Sequence, residues 1–423
     1  MSVRKREWTT SKGVQKTAWV VDYVDQQGKR RLKTCTTKKR ADDYAATANV
    51  EVRQGTHTPD SASITVTEAA KLWLDAAAAA GLERTTLDQY KQHVDLHIVP
   101  YLGRVKLSQL TTGTVRDFQS KLRTGQPAPG QESPAQRRSP TMVKKVTGSL
   151  GSMLADAVER NLVGRNVVRD LRSQRRRGKE RRQERRQKGK LKIGVDIPSP
   201  AEIKAFIEAL PPAPSRWRSM MLTAVFTGLR ASELRGLRWS DVDLKKAVIH
   251  VRQRADRYHE IGQPKTEAGE RAVPVPPGLL NVLREWKLAC PKGKLDLVFP
   301  TGDGTIEWHS NIIQRALIPT MLRAGVSMRK KNKDGTATVD PDGKPVFEAK
   351  YTGMHALRHF YASWSINRKA DGGLELPPKV VQERMGHSSI TVTLDTYGHL
   401  FPRGNDTAEL EEAEKALFAA AEA

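Results

Sequence analysis

The sequence predicts a multidomain protein with a small α+β N-terminal module, an all-α second domain, and a mainly α third domain with a small antiparallel sheet. Three observations carry that reading. Apolar and polar residues alternate over 17–35, the apolar period turns helical over 62–172, and an Arg/Lys run gives way to a sharp helix start near 198. At 423 residues the chain is long enough for two or three separate cores.

The first module spans 1–57. "TAWVVDYVD" (17–25) and "RRLKTC" (30–35) alternate on either side of the turn "QQGK", which is a hairpin pattern. "TKKRADDYAATANVEVRQG" (37–55) follows as a helix closed by Gly55. The helical domain spans 62–172. "TVTE" (65–68) has the Thr-x-x-Glu spacing of a capping box and opens a helix carrying Leu72, Trp73 and Ala76. "TTLDQYKQHVDLHIVPYLG" (85–103) sets Leu87, Tyr90, Val94 and Ile98 at helical intervals, with a stop expected at Pro100. "TTGTVRDFQSKLR" (111–123) and "TMVKKVTGSLGSMLADAVERNLV" (141–163) supply two more helices, separated by a Pro/Gly-rich loop at 124–140.

Residues 172–192 hold twelve basic and two acidic residues. Their self-repulsion disfavours burial, so 173–197 reads as a basic linker or an extended arm. The third domain spans 198–404. It opens on "SPAE" (199–202), which combines a Ser cap, Pro at the first helical position and Glu three residues after the cap. Helices run to Gly228 and beyond, "KKAVIHVR" (245–252) and "ERAVPVP" (270–276) alternate as strands, and mostly helical segments follow. Two polar, turn-rich stretches, 328–351 and 367–379, read as surface loops. The tail, 405–423, is an acidic, alanine-rich helix.

Composition narrows the function. Lys and Arg number 72 against 47 Asp and Glu, a formal charge of +25. Such a surplus points to a polyanion, nucleic acid first and a membrane surface well behind. The start, "MSVRKREWTTSKG", has no apolar signal core, and no run reaches the roughly 18 apolar residues of a spanning helix. With only Cys35 and Cys290, neither a disulfide framework nor a cysteine metal site is indicated. A reduced, cytoplasmic location is the expectation.

Near the C-terminus, "MGHSSITVTLDTYGHLF" (385–401) puts Tyr397 between His387 and His399. A phenol with a pKa of about 10 attacks a phosphodiester only with a proton acceptor or a strongly positive site at hand. The transition state gathers negative charge on the non-bridging oxygens, which calls for guanidinium forks and imidazole donors, and the leaving alkoxide needs an acid. Groups of these types occur upstream. Arg230 follows a helix-ending Gly in "TGLRASELRGLRWSDVDL" (227–244), with Glu233 three residues on and able to orient it. His355 and Arg358 share a helix face in "HALRHFYAS" (355–363), and His387 follows Gly386. The His-x-x-x-His of 355–359 has a zinc-like interval but lacks the glutamate of a metalloprotease, so no metal is assigned.

Taken together, "TGLRASELRGLRWSDVD", "HALRHFYAS" and "MGHSSITVTLDTYGH" resemble, in order and spacing, the boxes of the tyrosine recombinase (phage integrase) family. The resemblance implies the tyrosine recombinase catalytic fold for 198–404, a core-type DNA-binding domain for 62–172 and an arm-type DNA-binding module for 1–57. It implies Arg230, His355, Arg358 and His387 as catalytic residues with Tyr397 as nucleophile, and the family's hairpin lysine falls on Lys265 in "GQPKTEAGERAVPVP" (262–276). It further implies a 3′-phosphotyrosine intermediate. In it Arg230 and Arg358 hold the phosphate with His387, Lys265 protonates the leaving 5′-oxygen, and His355 accepts the phenolic proton, with Glu233 behind Arg230. The implied partners are DNA attachment sites, a homotetramer on DNA, a directionality factor (excisionase) and a host DNA-bending protein, with no cofactor and no metal. His399 is read as structural or as a minor DNA contact, and Trp239 as core rather than base-stacking. A type IB topoisomerase-like nicking-closing enzyme and a non-catalytic sequence-specific DNA binder are the alternatives.

Overall fold

The computed structural model describes residues 1–402 apart from 12–13, 56, 132, 134, 172–189 and 333–334, together with 410, 411, 414, 415 and 418 of the tail. Most of the basic run at 172–192 and most of the tail at 405–423 lie outside the described residues. The chain divides into two compact units, Met1–Arg176 and Arg177–Ala423.

The first unit joins what the sequence separates into two domains. β1 (Ser2–Thr9), β2 (Gln15–Val24) and β3 (Arg30–Cys35) form an antiparallel sheet in that order, with α1 (Lys38–Arg53) against it. Strand β1 was not anticipated, because only Val3 of it turns even partly inward and its pattern does not alternate. Val21, Tyr23 and Ala41 make the small core. Tyr23 Oη then lies 2.7 Å from His57 Nε2, and His57 Nδ1 lies 3.0 Å from Glu51, so the buried imidazole is bonded at both nitrogens. Asp60 ties this module to the bundle: it pairs with Lys33 of β3 and accepts from Ser108 Oγ at 2.6 Å.

The bundle consists of α2 (Val66–Ala79), α3 (Arg84–His93), α4 (Thr112–Thr124) and α5 (Pro140–Glu159). Thr65 and Glu68 form the predicted capping box, and Thr111 and Ser139 cap α4 and α5. Trp73 packs against Tyr90 with their rings tilted by 31° and 4.5 Å apart, and Phe118, Leu150 and Met153 fill the centre. The expected stop at Pro100 is corrected. The helix continues from α3 through a π turn, Val94–Ile98, into Val99–Leu102. Proline has no N–H to give to the preceding turn, and the wider π spacing accommodates that loss without ending the helix.

The second unit is mainly helical. The box of Ser199 and Glu202 opens α6 (Pro200–Glu208), followed by α7 (Arg216–Thr227) and α8 (Ala231–Gly236). β4 (Val242–Asp243), β5 (Val248–Val251) and β8 (Arg271–Pro274) form an antiparallel sheet, with Ile249 opposite Val273. Between β5 and β8 a two-stranded ribbon projects, β6 (Arg254–Ala255) on β7 (Ile261–Gly262). α9 (Pro277–Ala289) follows. Then comes α10, one helix in three abutting segments, His309–Asn311, a π turn Ile312–Leu317, and Ile318–Arg323 with Pro319.

The predicted loop at 328–351 is also corrected. β9 (Ser327–Arg329) pairs with β10 (Phe347–Ala349), and bridges at Lys331–Ala337 and Val339–Pro345 extend the ribbon. Backbone pairing at such an edge needs little apolar alternation, so the sequence pattern is silent there. α11 (His355–Ile366), α12 (Pro378–Met385) and α13 (Ile390–Tyr397) close the unit. α11 packs between α7 and α12, over a core that includes Phe206, Leu222, Val225, Ile249 and Leu357. Trp239 is buried with Lys287 over its ring, a structural position. Among the described residues no helix is long and apolar enough to cross a membrane.

Candidate active site

Two helix ends build the site. α7 ends at Gly228, in the left-handed region at φ +61°, where a Cβ would lie 2.4 Å from the Tyr361 ring. Only glycine turns there without strain and without that clash. The turn delivers Arg230 as the cap residue of α8. Its backbone N–H donates to Glu233 Oε2 at 2.8 Å, and its guanidinium donates to Glu233 Oε1 at 2.7 Å. α12 likewise ends on a left-handed glycine, Gly386 at φ +60°.

Three guanidiniums use the carbonyls that these ends expose. Arg358, on α11 and buried, donates to Gly228 O at 2.5 Å and to Met385 O. Arg230 donates to Gly386 O at 2.9 Å, and Arg271, at the start of β8, to Arg384 O at 2.8 Å. Helix C-termini carry partial negative charge, so they hold cations without contributing a full countercharge. Glu233 is the one carboxylate among them, receiving Arg271 at 2.8 and 3.2 Å besides Arg230. Burial would raise its pKa, but Arg271, Arg230 and Arg358 outweigh burial and hold it at about 2. Burial and the neighbouring Arg230 pull Arg358 down to about 9, which leaves it a cation at neutral pH.

Tyr397 is the last residue of α13 and only 2% exposed. Its Oη lies 2.7 Å from Nδ1 of His359, on α11. The His387 ring lies parallel to the Tyr397 ring at 6.3 Å, fixed by a 2.9 Å contact from Nδ1 to Thr393 Oγ1. The His355 ring meets His359 edge to face at 5.5 Å. Burial drives His359 and His387 down to about 4 and lowers His355. Burial also lifts Tyr397 to about 12 against the pull of Arg358. At neutral pH the phenol and all three imidazoles are therefore uncharged, set among Arg230, Arg271, Arg358 and Glu233, with Asp196 acting on His359 and Lys265 lining the cavity beside His387.

Lys265 lies in the loop after β7. With Arg230, Glu233, Gly386 and His387 it lines a cavity of about 220 Å³, large enough for a phosphodiester group. The predicted residues are thus brought to one place, with His355 one ring removed from the phenol. Two members were missed, His359 and Arg271. His359 had a signal, since it adjoins Arg358 and sits four residues from His355, one helical turn. Arg271 had none, because nothing local in "ERAVPVP" says that its side chain meets Glu233. His399, two residues past the tyrosine, contacts Leu191 O through Nε2 at 2.7 Å, consistent with its structural reading.

Residues 199–403 match the model of the phage integrase family, and residues 65–123 match that of the phage integrase N-terminal SAM-like domain. A tyrosine recombinase XerC-like protein of Caldanaerobacter subterraneus subsp. tengcongensis is 25% identical over 397 residues, 88% of each chain. The ICEBs1 integrase of Bacillus subtilis is 24% identical over 315 residues, 74% of this chain and 73% of the relative. Among solved structures, the Tn1549 transposon integrase in complex with a circular intermediate DNA aligns with TM-score 0.56 and 17% identity, covering 83% of this chain and 99% of that one. A lambda integrase tetramer bound to a Holliday junction aligns with TM-score 0.51 and 17% identity, covering 91% of this chain and 96% of that one. At these identities the structural likeness is one of fold.

Proposed function

The chain belongs to the phage integrase family, and from that premise we propose how this site-specific recombinase cuts and rejoins DNA. Tyr397 Oη attacks the scissile phosphorus and the bond to the 5′-oxygen breaks, leaving a 3′-phosphotyrosine and a 5′-hydroxyl. Arg230 and Arg358 bind the non-bridging oxygens, His387 donates from Nε2, and Lys265 gives a proton to the departing oxygen. Glu233 and Arg271 hold Arg230 in its orientation. The covalent bond conserves the phosphodiester, so a second strand's 5′-hydroxyl reverses the step without a cofactor.

The observation that carries the reading is the 2.7 Å contact between Tyr397 and His359 beside three guanidiniums and a single carboxylate. It revises one role. The phenolic proton goes to His359, and His355 acts through the His359 ring. Burial raises Tyr397 and lowers His359, which disfavours a preformed phenolate–imidazolium pair and favours proton transfer in step with P–O bond formation.

The substrates are duplex attachment sites of a phage or mobile element, worked on by a homotetramer in the cytoplasm, with an excisionase and a host DNA-bending protein as further partners. The surplus of +25 supports binding to DNA, and the relatives' names favour recombination over nicking-closing. The test uses duplexes enriched from a random pool by binding to the protein and nicked so that the short 5′-hydroxyl fragment diffuses away. A denaturant-resistant adduct mapping to Tyr397, on a 3′-phosphate, is expected. An adduct on another residue, or none, overturns the proposal.

A further inference from the structure

α8 carries Arg230 and Glu233 in its first turn, and its other end is built as carefully. Arg235 is buried, and backbone carbonyls hold its guanidinium. Its Nε donates to Glu307 O at 2.6 Å, and one terminal nitrogen donates to Asp256 O at 3.0 Å and Ala255 O at 3.4 Å. Two of those carbonyls belong to the end of β6 and the turn of the β6–β7 ribbon. Next along α8, Gly236 lets the ribbon backbone come so close that a Cβ there would lie 2.7 Å from Ala255 N and Arg254 C. Gln253 closes the dock by donating to Gly236 O.

The ribbon is short and cross-tied, Ala255 pairing with Ile261 and Arg254 with Gly262, and Arg254 Nε donates to Gln263 O at 3.1 Å. Two residues after Gln263 comes Lys265. Its neighbour Pro264 is packed so tightly on Gly269 that a Cβ at 269 would lie 2.5 Å from the ring. Few residues separate the docked backbone from the lysine, and most of them are fixed. A guanidinium fork bonded to carbonyls of two different segments defines position in more than one direction, which an apolar contact does not.

We propose that Arg235 and Gly236 are positioning residues for Lys265: the helix that places the phosphate-binding arginine also sets the distance from that phosphate to the proton donor. This rests on the reading of Lys265 as the acid for the 5′-oxygen. The expectation follows from leaving-group chemistry. An alkoxide needs a proton as it departs, whereas a thiol, with a pKa of about 8.5, leaves as the thiolate. Replacing the scissile 5′-oxygen by sulfur removes the need for the acid and leaves every other group in place.

The experiment measures single-turnover adduct formation by the full chain on matched 5′-oxygen and 5′-sulfur duplexes, at saturating protein. Lys265→Ala is expected to lose on the order of 10²–10⁴-fold on oxygen and to recover on sulfur. Gly236→Ala and Arg235→Gln are expected to lose on the order of 10–100-fold on oxygen, part of the same general-acid contribution, and to cleave sulfur within a few-fold of the parent. Gly236→Ala keeps the test decisive if Arg235→Gln does not fold. Equal losses on both substrates, or none on either, overturn the inference. Failure of sulfur to rescue Lys265→Ala overturns instead the reading of Lys265 on which it rests.

Discussion

His359 Nδ1 and Tyr397 Oη lie 2.7 Å apart, joining α11 to α13 at the buried end of the site. The contact orients the phenol, and on the proposed mechanism it gives the phenolic proton a destination. His359→Gln keeps a hydrogen-bonding side chain but not a base of comparable strength. Adduct formation is expected to fall on the order of 10²–10⁴-fold, as for loss of a general base, with DNA affinity unchanged. A larger loss in His355→Gln than in His359→Gln, measured in the same single-turnover assay, would return the proton to His355.

Tyr397→Phe is expected to bind the enriched duplexes as the parent does and to form no covalent adduct. Gel retardation and denaturing gels on the same samples separate these two properties. Unchanged strand exchange by this variant would move the nucleophile to another residue, whereas no adduct from the parent itself would favour a non-catalytic DNA binder.

The imidazoles titrate in the direction that burial dictates. His359 and His387, held at about 4, bind protons less readily folded than unfolded, where an imidazole titrates near 6.5. Their neutral burial therefore contributes stability that is complete above about pH 6.5 and lost as pH falls from there toward 4. Nuclear magnetic resonance titration of isotope-labelled imidazoles in the DNA-free protein should give midpoints for both well under 6.5. Midpoints at the ordinary value would mean that water reaches the rings and that the site is not as dry as described.

Glu233 faces the opposite limit. Its folded pKa of about 2 lies below the ordinary 4.5, so its contribution is complete above about pH 4.5 and is lost as pH falls through 2. Glu233→Gln removes the charge and leaves Arg271, 5% exposed, without its carboxylate. Breaking a buried pair in this way is expected to cost about 3–5 kcal/mol, read as a lower melting temperature, together with slower cleavage through a loosened Arg230. Glu233→Asp, which keeps the charge, should recover part of both losses. A Gln variant as stable as the parent would show that the helix-end carbonyls suffice alone.

What the sequence discloses is local. The boxes at Thr65/Glu68 and Ser199/Glu202, the caps at Thr111 and Ser139, and the strands of 248–251 and 271–274 follow from neighbours within a turn or from alternation. The misses depend on distant partners. Pro100 sits inside a helix because the bundle holds both sides of it, and β1 and β9–β10 become strands only by pairing. The site divides the same way. Arg230, Arg358, His387 and Tyr397 were legible as residue types in order. The two contacts that complete the geometry, His359 to Tyr397 and Arg271 to Glu233, each span 38 residues, and no local pattern records them.

The manner in which the arginines are held has a thermodynamic consequence. Peptide dipoles at the ends of α7 and α12 fix Arg358, Arg230 and Arg271 but cancel none of their charge, and Glu233 cancels only one unit. Mutually repelling cations are thus held at close quarters, and a backbone phosphate bound there would relieve that repulsion. Occupancy at a hundred times the dissociation constant adds about 2.7 kcal/mol to folding stability. On the proposed mechanism, letting go of a rejoined duplex would return the cations to one another, which places a cost at release, after the chemistry is complete.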